Sequence, residues 1–187
     1  TEEEQDIVLK LHNSFTGSEK LRKHMKCLFR YGCMYNVCNS NLLFHASMPL
    51  NEDGTLKEIN ILGKKYKGES LLKRVGQLIR TAYFAENDNE EKSFALDYVW
   101  YLWCGKDSPA FDKSKMATFE RYFIADAAAH KEIKGFYYTL RDREDICDMI
   151  MDEFGVEGEH RHIINGHVPV KAVKGEKPIK ANGKLMV

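Results

Sequence analysis

Across 187 residues the chain carries 28 Lys+Arg against 28 Asp+Glu, with 43% hydrophobic and 30% charged residues. That balance excludes a net field drawing the chain to nucleic acid or a membrane surface, and the length suits one domain with a real core. No apolar run approaches the about 20 residues a membrane-spanning helix needs. The N-terminus "TEEEQDIVLKLH" is acidic where a signal peptide is basic, so the expected compartment is the cytoplasm.

Thr1 with Glu4 three residues on is a capping box, so a helix is predicted from the first residues, with Ile7, Leu9, Leu11 and Phe15 along it. Ser18 caps a second helix carrying Leu21, Met25, Leu28 and Phe29, which Gly32 closes. "CMYNVCN", a turn at Asn39-Ser40-Asn41, and "LLFH" read as strands, and the Leu62-Gly63 turn reads as the tip of a small hairpin. Two helices are predicted between residues 69 and 104, separated at Asn87-Asp88-Asn89. The second is apolar on most sides, so Trp100 and Trp103 are expected in the core; an aromatic binding platform is the other reading. Residues 105–140 are loop-rich, and "REDICDMIMDEFG" is an amphipathic helix ended by Gly155. Strands are expected at 162–165, near 168–173 and at 184–187. The whole reads as a single α+β domain over 1–187. It is helical over 1–32, with strands and a hairpin over 33–66, helical over 67–132, and a helix with the C-terminal strands over 133–187.

Five cysteines (Cys27, Cys33, Cys38, Cys104, Cys147) at irregular spacing argue for reduced thiols. Cys33, Cys38 and His45 lack the paired C-x-x-C spacing of structural zinc sites, and free Cys is usually a small buried hydrophobe. The "EHRH" cluster, Glu159 to His162, could set two imidazoles on one strand face, but it precedes the strand body and reads as a solvated loop.

Two histidines carry more. His45 ends the apolar run "LLFH", and His167 comes directly after "HIING"; each is then succeeded by a turn. Neutral imidazoles at adjacent strand ends make good ligands for a divalent metal, and turn histidines with no such task are the alternative. If both serve one ion, their strands should lie together and each ring should face one cleft. The second ring nitrogen should then donate to a carbonyl or carboxylate. Gly166 is expected to keep the turn that aims His167 uncrowded.

"SNLLFHASMPLNEDGTLKE", "WYLWCGKDSPAF", "MATFERYF" and "HIINGHVPVKAVKGEKPIKANGKLMV" together resemble the C-terminal part of the bacterial class III fructose-1,6-bisphosphatases. The likeness runs over essentially the whole chain. It implies part of a calcineurin-like metallophosphatase β-sandwich flanked by helices, here with a helical N-terminal segment. Such enzymes carry D-x-H, G-D-x-x-D-R and G-N-H motifs, then a lone His after an apolar strand, then a Gly-His pair. Only the last two occur here, as Phe44-His45 and Gly166-His167. Both ends look cut, and the partner this implies is the upstream part of the same enzyme; a homo-oligomer is also compatible.

By this resemblance His45 and His167 are metal ligands, Mn²⁺ is the ion of a metal pair, and Arg121 in "TFERYF" binds phosphate. A plain surface pair of Glu120 and Arg121 is the other reading of that stretch, and Lys174, Lys177, Lys180 and Lys184 read as a solvated basic loop. The implied reaction is two-metal hydrolysis of fructose 1,6-bisphosphate in gluconeogenesis, the chain alone being inactive. A metallophosphatase with another phosphate ester, or a non-catalytic partner- or effector-binding module, are the alternatives.

Overall fold

A computed structural model describes residues 1–187, which divide into two compact units, Thr1–Cys33 and Met34–Val187. In the first unit, α1 (Glu2–Gly17) begins at the Thr1–Glu4 capping box, with Glu2, Glu3 and Glu4 at the positive end of the helix dipole. Ser18 accepts a hydrogen bond from the Leu21 N–H and starts α2 (Glu19–Tyr31). Neither helix buries a residue.

The second unit is built on a five-stranded mixed sheet. β1 (Tyr35–Cys38) and β2 (Asn41–Phe44) form a hairpin whose turn residues, Asn39 and Ser40, both take positive φ, as a tight two-residue hairpin requires. β5 (His162–Ile164) lies parallel to β2, pairing Leu42 with Ile163 and Leu43 with Ile164. β7 (Leu185–Met186) runs parallel to β5, and β6 (Ile179–Lys180) closes the edge antiparallel to β7. A separate hairpin, β3 (Ile59–Ile61) with β4 (Lys64–Tyr66), turns at Leu62 and Gly63, again at positive φ.

Alternation decides which side of the sheet is covered. Leu42, Phe44, Ile163 and Leu185 point to one face and are buried under α7 (Glu144–Glu153) and Tyr137 of the short helix α6 (Tyr137–Leu140). A second core joins α3 (Gly68–Phe84) to α4 (Glu90–Cys104) through Leu71, Val75, Leu78, Ala95, Tyr98 and Leu102, with Ile61 of the hairpin. Between α4 and α6 the chain is mostly irregular, apart from α5 (Glu120–Phe123) and one turn of 3-10 helix.

Three expectations need correction. α4 buries only Ala95, Tyr98 and Leu102, one stripe that faces α3, so Trp100 stays 63% exposed and Trp103 half-buried. The stretch near 168–173 is not a strand. Its Val168 and Ala172 N–H groups bond to carbonyls two residues back, that of Lys171 bonds to the Glu176 carboxylate, and Pro169 has none, so the donors a ladder would need are spent locally. Cys27, Cys33 and Cys38 are exposed rather than buried; only Cys147 behaves as a core residue, and its burial pushes the thiol pKa up to about 12.

Candidate functional site

The parallel pairing of β2 with β5 carries both strands to the same edge, and the turn after each strand is tied to the other by backbone. The Gly166 N–H donates to the His45 carbonyl at 2.8 Å. Buried Asn165 donates its side-chain amide to the Ala46 carbonyl at 3.3 Å and to the Tyr137 hydroxyl. The two imidazoles therefore meet: His45 Nε2 lies 3.2 Å from His167 Nδ1, with ring centroids 4.9 Å apart. The same two nitrogens can serve a shared proton or a shared ion. Two imidazole nitrogens bound to one ion at about 2.0–2.2 Å, at angles between square and tetrahedral, stand roughly 2.8–3.6 Å apart. The observed separation falls inside that range, so the pair fits as two members of one ligand set. No third His, Cys, Asp or Glu joins them.

His167 itself takes φ +62, an uncommon conformation for a side-chain-bearing residue. Gly166 does not have the role expected of it. A Cβ there would meet only the His45 carbonyl at an ordinary 3.8 Å. The expected second partner is absent too, since neither His45 Nδ1 nor His167 Nε2 meets a carbonyl or carboxylate. Burial lowers the His167 pKa, and the neighbouring His45 and Lys113 act in the same direction. The neutral ring this favours is the form a ligand needs.

A wall stands beside the pair that sequence reasoning missed. The Phe111 ring lies 4.7 Å from His167 and 5.5 Å from His45, between centroids. The next residue, Asp112, is only 2% exposed, takes φ +48 and accepts a hydrogen bond from the Ser47 hydroxyl at 3.1 Å. Ser47 is equally buried, so this contact fastens the turn after His45 to the irregular segment. Gly135 permits the approach, since a Cβ there would collide with the Asp112 carboxylate. Desolvation raises the Asp112 pKa to about 6, with the Ser47 hydrogen bond pulling the other way. Lys113 comes next, half-buried, its Nζ 3.0 Å from Glu132 Oε2. Burial opposes ionisation of Glu132, yet the Ala117 N–H and Lys113 outweigh it and hold its pKa below the ordinary value.

Arg121 sits on α5 and donates to the His130 carbonyl at 3.1 Å; no contact joins it to His45 or His167. His162 is already engaged, with Nδ1 3.0 Å from the Gly183 carbonyl, and His160 is exposed. Lys180 pairs with Glu176 and Asp142, and Lys184 with Asp148 and Glu144, so half of the basic loop is neutralised.

The family model for Firmicute fructose-1,6-bisphosphatase matches residues 1–187. A protein named fructose-1,6-bisphosphatase class 3 from Phocaeicola vulgatus is 71% identical over 187 residues. Proteins of the same name from Bacteroides fragilis and Clostridium botulinum are 68% identical over 187 residues and 53% over 186. Each comparison covers 100% of this chain and 28% of the relative. No solved structure matches. The paired histidines thus sit in a chain that belongs to the Firmicute fructose-1,6-bisphosphatase family.

Proposed function

We propose that the complete protein is a fructose-1,6-bisphosphatase. It would hydrolyse a phosphate from fructose 1,6-bisphosphate, a step of gluconeogenesis in the cytoplasm. The observation that carries this reading is the convergence of His45 and His167 at 3.2 Å in a chain of this family. In this account the two rings are ligands of one ion of a Mn²⁺ pair, and the upstream polypeptide supplies the remaining ligands. Bound there, such ions would supply a Lewis acid for the phosphoryl group and lower the pKa of a water to near neutral.

The chain's own residues do the rest. His45 and His167 each present a ring nitrogen, and the lowered basicity of His167 favours its neutral ring. The Phe111 ring packs against both imidazoles from one side, leaving their other sides open to a ligand. Lys113 places a positive charge beside His167, and Arg121 is assigned to phosphate binding by resemblance. The Ser47–Asp112 contact holds the turn after His45 against that wall.

The sandwich architecture belongs to the same reading. The uncovered face of the sheet is apolar across four registered strands: Leu43 pairs with Ile164, Ile164 with Met186, and Met186 with Ile179. Leu43, Ile164 and Ile179 are 37%, 36% and 58% exposed, an arrangement that suits a second sheet contributed by the upstream polypeptide. Five free cysteines accord with a reducing compartment.

Phosphate release from fructose 1,6-bisphosphate in Mn²⁺ tests the proposal on two proteins. The complete enzyme should turn over, and the 187-residue chain should be silent because two imidazoles cannot hold a metal pair. Steady turnover by the isolated chain, or none by the complete enzyme, refutes it.

A further inference from the structure

We infer that Arg141, Lys134 and Lys171 form an anion site that holds the second, non-reacting phosphate of a sugar bisphosphate. The inference rests on the bisphosphatase reading and extends it to residues outside the imidazole pair.

Arg141 is 5% exposed, and a guanidinium stays charged wherever it is placed. Its Nη1 is fully enclosed and meets no acceptor. The nearest carboxylate to Nη2, that of Glu176, stands at 3.8 Å, too far for a hydrogen bond. Buried cations in folded proteins are paired and hydrogen-bonded, so this guanidinium has the capacity to take a further acceptor.

Other cations gather at the same spot. The guanidinium carbon of Arg141 lies 5.6 Å from the centre of the Tyr138 ring, and Lys134 Nζ lies 5.1 Å from the same ring. Lys134 is also paired through backbone with Lys113. Burial lowers the Lys134 pKa, the positive charges of Arg141, Lys171 and Lys113 add to that, and only Glu176 opposes. Glu176 is itself divided. It accepts from the Lys171 N–H at 3.0 Å and pairs with Lys180 at 3.3 Å. One shared carboxylate leaves an excess of positive charge, and a phosphate dianion supplies the acceptor oxygens that the cluster lacks.

The cluster also adjoins the imidazole pair. The Tyr138 hydroxyl donates to the Phe111 carbonyl at 2.8 Å, and the Phe111 ring packs on His167. Tyr138 and Phe111 thus form one wall with the histidines at one end and the cations at the other. A ligand carrying two phosphates on one short sugar can address both ends.

The test is kinetic and uses the complete enzyme with Mn²⁺. The readout is kcat/KM for fructose 1,6-bisphosphate divided by kcat/KM for fructose 1-phosphate, which lacks the second phosphate. Arg141→Gln, and separately the double variant Lys134→Gln with Lys171→Gln, should lower that ratio about tenfold or more, chiefly through KM for the bisphosphate. The exposed lysines keep the test valid if the buried arginine proves necessary for folding. An unchanged ratio in the double variant, including an equal loss on both substrates, overturns the site. That result with an active wild-type enzyme leaves the bisphosphatase reading standing, whereas a wild-type enzyme inert toward the bisphosphate overturns both.

Discussion

Burying Asp112 costs free energy whenever its carboxyl is ionised. Its pKa is raised to about 6, above the unfolded value of about 4, so the folded state binds more protons between those limits. The stability this group contributes is therefore full below about pH 4 and is lost as pH rises through about 6. Asp112→Asn removes the titration and keeps an acceptor for Ser47. The stability of the variant relative to the parent should rise by roughly 2–3 kcal/mol between about pH 4 and pH 8, measured by urea unfolding at each pH. A difference that stays flat over that range contradicts the burial argument. At this scale the sequence disclosed some residues and hid others, for a physical reason. His45 and His167 were legible as a converging pair because one ends an apolar run and the other follows the Asn165-Gly166 turn after one, in motifs that resemble the family's. Asp112, Lys113 and Arg141 were not, because Ser47, Glu132 and Glu176 lie far away in sequence and only the fold supplies the pairing. The left-handed φ of His167 likewise falls one residue after the glycine that marks the turn in the sequence.

Elements whose signals are local came through well. Ser18, Asn89 and the Thr1 capping box start helices where their side chains meet backbone N–H groups, and Leu62-Gly63 turns a hairpin. α4 was misjudged because apolar residues on every side say nothing about how many neighbours exist to cover them. The stripe at Ala95, Tyr98 and Leu102 faces α3, while Trp100 and Trp103 meet edge to face, with ring centroids 5.1 Å apart, outside it. A strand near 168–173 failed for a related reason: alternation of valines with Pro169 suggests a strand, but a strand also needs a pairing edge. Substitution separates core from surface. Leu42→Ala, at a fully buried position in the central strand β2, should cost about 2–5 kcal/mol in the isolated chain. Trp100→Ala should cost under about 1 kcal/mol. Comparable losses at the two positions by denaturant unfolding would contradict the packing described here.

At the scale of the whole molecule, this chain spans 28% of the length of the relatives it matches. Two features of the second unit accord with a structure completed by further polypeptide. One is the apolar row Leu43, Ile164, Met186 and Ile179 on the uncovered face of the sheet. The other is a pair of converging imidazoles with no third ligand beside them. Sequence resemblance pointed to both strand-end histidines, but their distance of 3.2 Å depends on the parallel register of β2 and β5, which joins residues on either side of α3, α4 and α7. The central claim is that His45 and His167 bind one ion in the complete enzyme. Anomalous scattering at the manganese edge, from crystals of that enzyme grown with Mn²⁺, tests it most directly. The account expects a peak about 2.0–2.2 Å from a ring nitrogen of each histidine. A peak bound by only one of the two rings, or ions lying wholly elsewhere, would contradict it.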